Sequence, residues 1–204
     1  MTKMVDDPRA VFAALAPPRD ELLLELEAQA ERLGIPIAGP VVGGLLGLLV
    51  AFAGARAVLE VGAATGYSAI HLGRALAPGG RLWSIEMDPG RAAQARDNLA
   101  RAGLSRCCQV LEGPAHEVLA GLEGPLDLIF LDHDKPGYAP ALGHCRRLLR
   151  PGGLLVADNT GFTAAQDFTR ALHESPHWRD AHLWCLLPGH SDEYDGLSLA
   201  LKVD

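Results

Sequence analysis

Apolar positions along the chain alternate between two patterns. Short, nearly unbroken runs fall at 58–61, 81–86, 108–111, 126–131 and 154–157. Between them lie stretches whose apolar residues recur every three or four positions. The runs predict strands covered on both faces, and the periodic stretches predict helices packed on a sheet. Asp20 caps a helix over 20–33 that Gly34 stops. Pro36 and Pro40 keep 35–39 extended, and Pro40 starts a buried helix to about residue 52. Further helices are expected from Asp88-Pro89 to 102, after Pro114, through 148–149 up to Pro151-Gly152-Gly153, and over about 164–173. Two last strands, at 183–187 and 197–203, are joined by a polar loop as in a terminal hairpin. Residues 1–19 lack clear periodicity beyond one helical turn at 11–15. Strand–helix alternation implies right-handed crossovers and a mostly parallel, doubly wound sheet with ligands outside the strands' carboxyl ends.

The chain has 204 residues, enough for one α/β domain. A 49% apolar content supplies a full core, and a net charge of −7 argues against wrapping DNA or RNA. The four cysteines (107, 108, 145 and 185) show no metal-ligand spacing and make a poor disulfide framework. The acidic start lacks an apolar signal core, and the apolar stretch 41–53 is too short to span a bilayer. A soluble, cytoplasmic protein without nucleic-acid or membrane partners is expected, and no internal repeat is visible.

The chemistry-bearing stretch is 58–70, VLEVGAATGYSAI: a strand, a glycine turn and a helix start. Its backbone N–H groups can hold an anionic group. Taken alone, the turn fits equally an ordinary strand–helix corner that needs glycine for sterics. Its pattern, Glu60-x-Gly62-x-x-x-Gly66, differs from the G-x-G-x-x-G of dinucleotide folds, and Tyr67-Ser68 is not the Lys-Ser/Thr of a phosphate loop. Glu86 ends the second strand, where a carboxylate can accept both hydroxyls of a ribose. The fourth strand ends in Asp132, His133, Asp134 and Lys135, with Tyr138 beyond, and the fifth in Asp158-Asn159. Asp132, Asp158 and Asn159 offer only oxygen ligands, which suits a hard cation such as Mg²⁺.

The segments VLEVGAATGYS, SIEMDP, EGPA, LDHDKPGY, ADN and DGL resemble the cation-dependent O-methyltransferases, the family of catechol and caffeoyl-coenzyme A O-methyltransferases. The resemblance runs from about residue 34 to the end. It implies a Rossmann-like S-adenosylmethionine-dependent methyltransferase domain, a seven-stranded mostly parallel sheet with an antiparallel last strand and helices on both faces. Residues 1–34 would pack on or cap the site, and 35–204 would bind cofactor and metal. By the same resemblance Asp132, Asp158 and Asn159 hold the metal, Lys135 is the general base with Asp132 also in the catalytic set, and Ala38, Glu60, Gly62, Ala63, Ser68, Glu86, Ala115, Asp132 and Asp134 line the S-adenosylmethionine site. The implied substrate is a small vicinal diphenol, and the implied assembly is a homodimer. Asp134 stands where the catechol enzyme has a tryptophan, His116 where it has a glutamine, and 34–39 contains no aromatic residue.

Competing readings fare less well. His173-Glu174-Ser175-Pro176-His177 matches the H-E-x-x-H zinc-peptidase signature, but Pro176 breaks the helix that motif needs. His71 and His144 lie within helices and read as packing or surface residues. An NAD-dependent oxidoreductase is disfavoured by the glycine spacing, and a base-modifying methyltransferase by LDHDKPGY in place of an N/D-P-P-Y-like sequence. The remaining alternative is a methyltransferase-like cofactor-binding protein acting on a non-catechol substrate or without catalysis.

Overall fold

The computed structural model describes residues 5–187 and 194–204. Its strands are β1 (Ala57–Val61), β2 (Arg81–Glu86), β3 (Cys108–Glu112), β4 (Leu126–Leu131), β5 (Leu149–Ala157), β6 (Trp178–Leu186) and β7 (Tyr194–Lys202). The helices are α1 (Pro8–Ala14), α2 (Glu21–Leu33), α3 (Gly39–Phe52), α4 (Tyr67–Ala75), α5 (Pro89–Arg101), α6 (Ala115–Gly121), α7 (Tyr138–Leu148) and α8 (Gln166–Glu174). The helix starts follow local chemistry. Asp20 accepts from the Leu23 N–H at 3.1 Å and Asp88 from the Arg91 N–H at 2.7 Å, so each cap satisfies an orphan donor of the first turn.

The strands form one sheet in the order β3-β2-β1-β4-β5-β7-β6. β7 runs antiparallel to both its neighbours; the pairings among β1 to β5 are parallel. Alternation along each strand splits the core in two. Val58, Leu82, Leu128, Phe130 and Val156 meet residues from α2, α3, α4 and α5. Leu59, Val61, Ile85, Ile129, Leu131 and Leu155 meet α6, α7 and α8 on the other face. Helices therefore cover both faces, as the apolar runs require.

Three boundaries differ from expectation. β5 begins at Leu149, not 154, and α7 stops at Leu148. Leu126 pairs Leu149 but Leu128 pairs Leu154, so Pro151-Gly152-Gly153 bulges out of the ladder instead of ending a helix. β6 begins at Trp178 rather than 183, and β7 at Tyr194 rather than 197. Of the β6 residues before 183, Arg179, Asp180 and His182 are polar on an edge strand and only Trp178 enters the core, so the stretch reads as loop. The polar loop expected between the last strands falls largely on residues outside those described.

The helices α3 and α4 touch closely because Gly43 lacks a side chain: a Cβ there would lie 2.6 Å from the His71 ring. His71 is a packing residue as expected. Burial pulls its pKa down to about 4, and its ring lies 5.1 Å from that of Tyr67. The Tyr67 hydroxyl in turn donates to Glu27 of α2 at 2.6 Å, tying the N-terminal helix to the wall of the site.

Candidate active site

The carboxyl ends of β1, β2 and β4 converge on a cavity of about 740 Å³. Gly62 makes the convergence possible. Its φ is +105°, and a Cβ would sit 2.3 Å from the Asp132 carbonyl oxygen, so no other residue fits there without displacing β4. Its N–H and that of Ala63 both donate to the Ile85 carbonyl, at 2.9 and 3.0 Å, which holds the turn against β2. Glu86 is fixed by the same turn: its carboxylate accepts from the Ala64 N–H at 2.8 Å and from the Asp88 N–H at 2.9 Å. The carboxylate is thus pre-oriented on the cavity wall, 9% exposed, and keeps lone pairs for a ligand's hydroxyls.

Ala38, Gly62, Ala63, Ser68, Glu86, Ala115, Asp132, Asp134 and Lys135 all line this cavity, as does His116. Met87, inside the SIEMDP segment, lines it too, as do Arg91, which no motif singles out, and His144, read from sequence as a packing or surface residue. Glu60 does not line it, contrary to expectation. It lies on the sheet beneath, fully buried, where the Ser84 hydroxyl donates to its carboxyl. The strand's alternation explains this: Val61 and Gly62 reach the cavity while Glu60 points into the core.

Burial raises the Glu60 pKa from 4.5 to about 7; hydrogen bonds from Ser68 and Ser84 oppose the shift, and Asp132 and Glu86 add to it. A carboxyl raised in the folded state contributes stability that is complete below the unfolded value and lost as pH rises through about 7. Glu60→Gln copies the protonated group at every pH. The wild-type Tm should therefore match the variant near pH 4.5 and drop several degrees below it by pH 8, at about 2–4 °C per kcal/mol for a chain of this size. Thermal unfolding of both proteins across that range measures it, and parallel curves would mean that Glu60 is charged in the fold.

The second half of the site is built by β4 and β5. Leu131 pairs Ala157, so the next residues, Asp132 and Asp158, stand at neighbouring strand ends. Tyr138 clamps those ends: its buried hydroxyl lies 3.0 Å from both the Leu131 and Asp158 carbonyls. Asp158 is fully buried and accepts from the Asn159 N–H at 2.8 Å. Asn159 has a left-handed backbone (φ +52°), and its side-chain amide donates to Asp195 of β7 at 2.6 Å. That bond fixes which branch of the amide carries nitrogen and directs Oδ1 the other way. Asp158 and Asn159 lie outside the cavity lining, one strand beyond Asp132. Lys135, in a 3₁₀ turn spanning Lys135–Gly137, places Nζ 3.1 Å from Asp132 Oδ1 and 5.6 Å from the centre of the Tyr138 ring.

Two observations fit a hard dication here. Asp132, Asp158 and Asn159 offer oxygen donors only. The local field is also strongly negative: besides burial, the Asp132, Asp158, Asp195 and Asp134 carboxylates each push the Tyr138 phenol further above its ordinary pKa. Asp195 belongs to the DGL segment, but the sequence assigns it no role at the site. Its partner Asn159 lies 36 positions away and is brought to it only by the antiparallel β5–β7 pairing.

The chain is similar to known methyltransferases. The family model described as O-methyltransferase matches residues 19–173. A catechol O-methyltransferase of Niastella koreensis is 41% identical over 146 residues, covering 69% of this chain and 66% of that protein. Another, from Mycobacterium tuberculosis, is 38% identical over 159 residues, 78% of this chain and 67% of its own length. The match thus spans about two thirds of these relatives. Among solved structures, the O-methyltransferase TomG of Streptomyces achromogenes, in complex with SAM, superimposes with a TM-score of 0.87 at 28% identity, covering 98% of this chain and 100% of that one.

Proposed function

The chain belongs to the O-methyltransferase family, and we propose that it moves the methyl group of S-adenosylmethionine to one hydroxyl of a vicinal diphenol with the help of a divalent cation. The carrying observation is the pair of half-sites. Lys135 and Asp132 are 3.1 Å apart at the cavity, and Asp158 and Asn159 are beside them at the next strand end. Similarity to catechol O-methyltransferases supports the substrate class.

In this reading Glu86, held by the Ala64 and Asp88 N–H groups, accepts the ribose hydroxyls of the methyl donor. The glycine turn and Ser68 shape the wall beside it. Asp132, Asp158 and Asn159 would hold the cation, with Asp195 orienting the Asn159 amide. Bound there, a divalent cation would supply Lewis acidity and a positive charge to hold the substrate. Lys135 removes the proton from the hydroxyl to be methylated, the oxygen attacks the methyl carbon, and the sulfonium leaves as a neutral thioether. The proton passes from Lys135 to solvent. Alignment of two bound reactants contributes the larger share of the rate, on the order of 7–11 kcal/mol.

The wall on one side is small: Pro36, Ile37 and Ala38 face the cavity with no aromatic residue among 34–39, while Tyr67 and three histidines line it elsewhere. On that side orientation of the substrate rests on its two oxygens rather than on ring stacking. Removing one hydroxyl should lower kcat/KM by about 10²-fold or more, the cost of a misplaced reacting atom. Initial rates on a caffeate-type diphenol and its monohydroxy analogue test this; equal rates would refute the two-oxygen anchor.

A further inference from the structure

The H-E-x-x-H stretch is split as its proline requires. The last α8 residue is Glu174, and His177 turns away to pair with Asp204 at 3.0 Å. His173 instead meets two residues of the edge strand β6. Its Nδ1 lies 2.9 Å from Asp180 Oδ2, and His182 Nε2 lies 2.8 Å from that same oxygen. Asp180 and His182 are two apart on a strand and so share a face. Among the described residues, this is the one group of three His, Cys, Asp or Glu side chains whose ligand atoms all lie within 4.8 Å of one another.

The side chains behind His182 sharpen its chemistry. Its Nδ1 is 2.7 Å from Ser198 Oγ, and that hydroxyl donates onward to Thr160 Oγ1 at 2.9 Å. A hydroxyl that donates to Thr160 accepts from the imidazole, so Nδ1 carries the hydrogen. Nε2 then faces a carboxylate oxygen, and that contact is favourable only with a proton or a cation between them. An outer hydrogen bond that fixes the tautomer and aims the other nitrogen is the usual support of a metal-binding histidine. Tetrahedral zinc with bonds of about 2.0–2.1 Å needs ligand atoms roughly 3.3 Å apart, so the three atoms need to spread by about half an ångström. His173 is 74% exposed and free to swing by that amount, while Asp180, at 12%, is the fixed member.

We propose that His173, Asp180 and His182 form a second metal site, for a borderline transition dication such as Zn²⁺, separate from the oxygen-donor site. Two imidazoles and one carboxylate select such an ion over Mg²⁺, and three protein ligands leave the fourth position to water. Occupied, the site joins the end of α8 to the edge strand. The Ser198–Thr160 link runs from it to the residue after Asn159.

The test is a Zn²⁺ titration of metal-stripped protein against a chromophoric chelator, in excess Mg²⁺ to occupy the oxygen-donor site. Wild type should take up one Zn²⁺ per chain. His173→Asn and His182→Asn should each weaken binding by more than about tenfold, and Ser198→Ala by roughly tenfold through the lost outer bond. His177→Asn and Asp158→Ala should bind as wild type. Co²⁺ in place of Zn²⁺ should give visible absorption that His182→Asn abolishes. Because His173 is largely exposed, His173→Asn should keep the metal-free Tm of wild type, which separates ligand loss from misfolding. Zinc uptake unchanged in both histidine variants, or lost in Asp158→Ala instead, would overturn the assignment and leave the cluster an ion pair between α8 and β6.

Discussion

Asp158→Ala is expected to lower turnover by roughly 10²–10⁴-fold, the several kcal/mol that a Lewis acid contributes at tenfold per 1.36 kcal/mol. Affinity for S-adenosylmethionine should stay near wild type. Asp158 stands at the end of β5, outside the cavity lining, whereas the cofactor's expected contacts are Glu86 and the turn after β1. Glu86→Ala should show the opposite signature. It removes a carboxylate accepting from two backbone N–H groups and should weaken cofactor binding by about 1–3 kcal/mol. Calorimetry with the cofactor and steady-state rates with a diphenol, on both variants, read the two effects separately. Loss of cofactor binding in Asp158→Ala would merge the two half-sites into one and remove the case for a distinct cation position. Asn159→Ala, which loses a neutral ligand, should be milder and partly rescued by more metal.

Lys135→Ala should lower kcat by about 10²–10⁴-fold with little change in cofactor affinity, the range for removing a positioned general base. Lys135 also pairs with Asp132 at 3.1 Å, so alanine alone confuses the loss of a base with the loss of a cation beside the carboxylate. Lys135→Arg separates them. Arginine keeps the positive charge near Asp132 but stays protonated throughout the working range and cannot accept the proton. It should be about as slow as alanine. Near-normal kcat in the arginine variant would make Lys135 an electrostatic partner of Asp132 rather than the base.

The site was legible in sequence where chemistry is local. Gly62 and Gly66, Glu86 at a strand end and the run 132–135 each announce a backbone or charge requirement within a few residues. The structure brings Gly62, Glu86 and 132–135 to one cavity, while Gly66 packs against Ala95 of α5 behind it. Glu60 shows the limit of reading a motif as a lining: its place in the pattern is fixed, but the pleat of β1 turns it into the core. Asp195 stands in the recognisable DGL segment, but its role is illegible there, since the β5–β7 register that brings it to Asn159 is a long-range fact. So is the cluster of His173 with Asp180 and His182, which a helix-period reading of 173–177 conceals. Among the elements, Pro151-Gly152-Gly153 looked like a stop because proline and glycine usually are; in β5 they form a bulge that the ladder resumes beyond. The start of β6 was lost because an edge strand need not alternate.

The most direct measurement is methyl transfer from labelled S-adenosylmethionine to a vicinal diphenol in Mg²⁺, in chelator, and in chelator followed by excess Mg²⁺. The account predicts turnover in Mg²⁺, its loss by at least about 10²-fold in chelator, and full recovery when Mg²⁺ is restored, with cofactor binding present throughout. Undiminished turnover in chelator would contradict the cation-assisted mechanism.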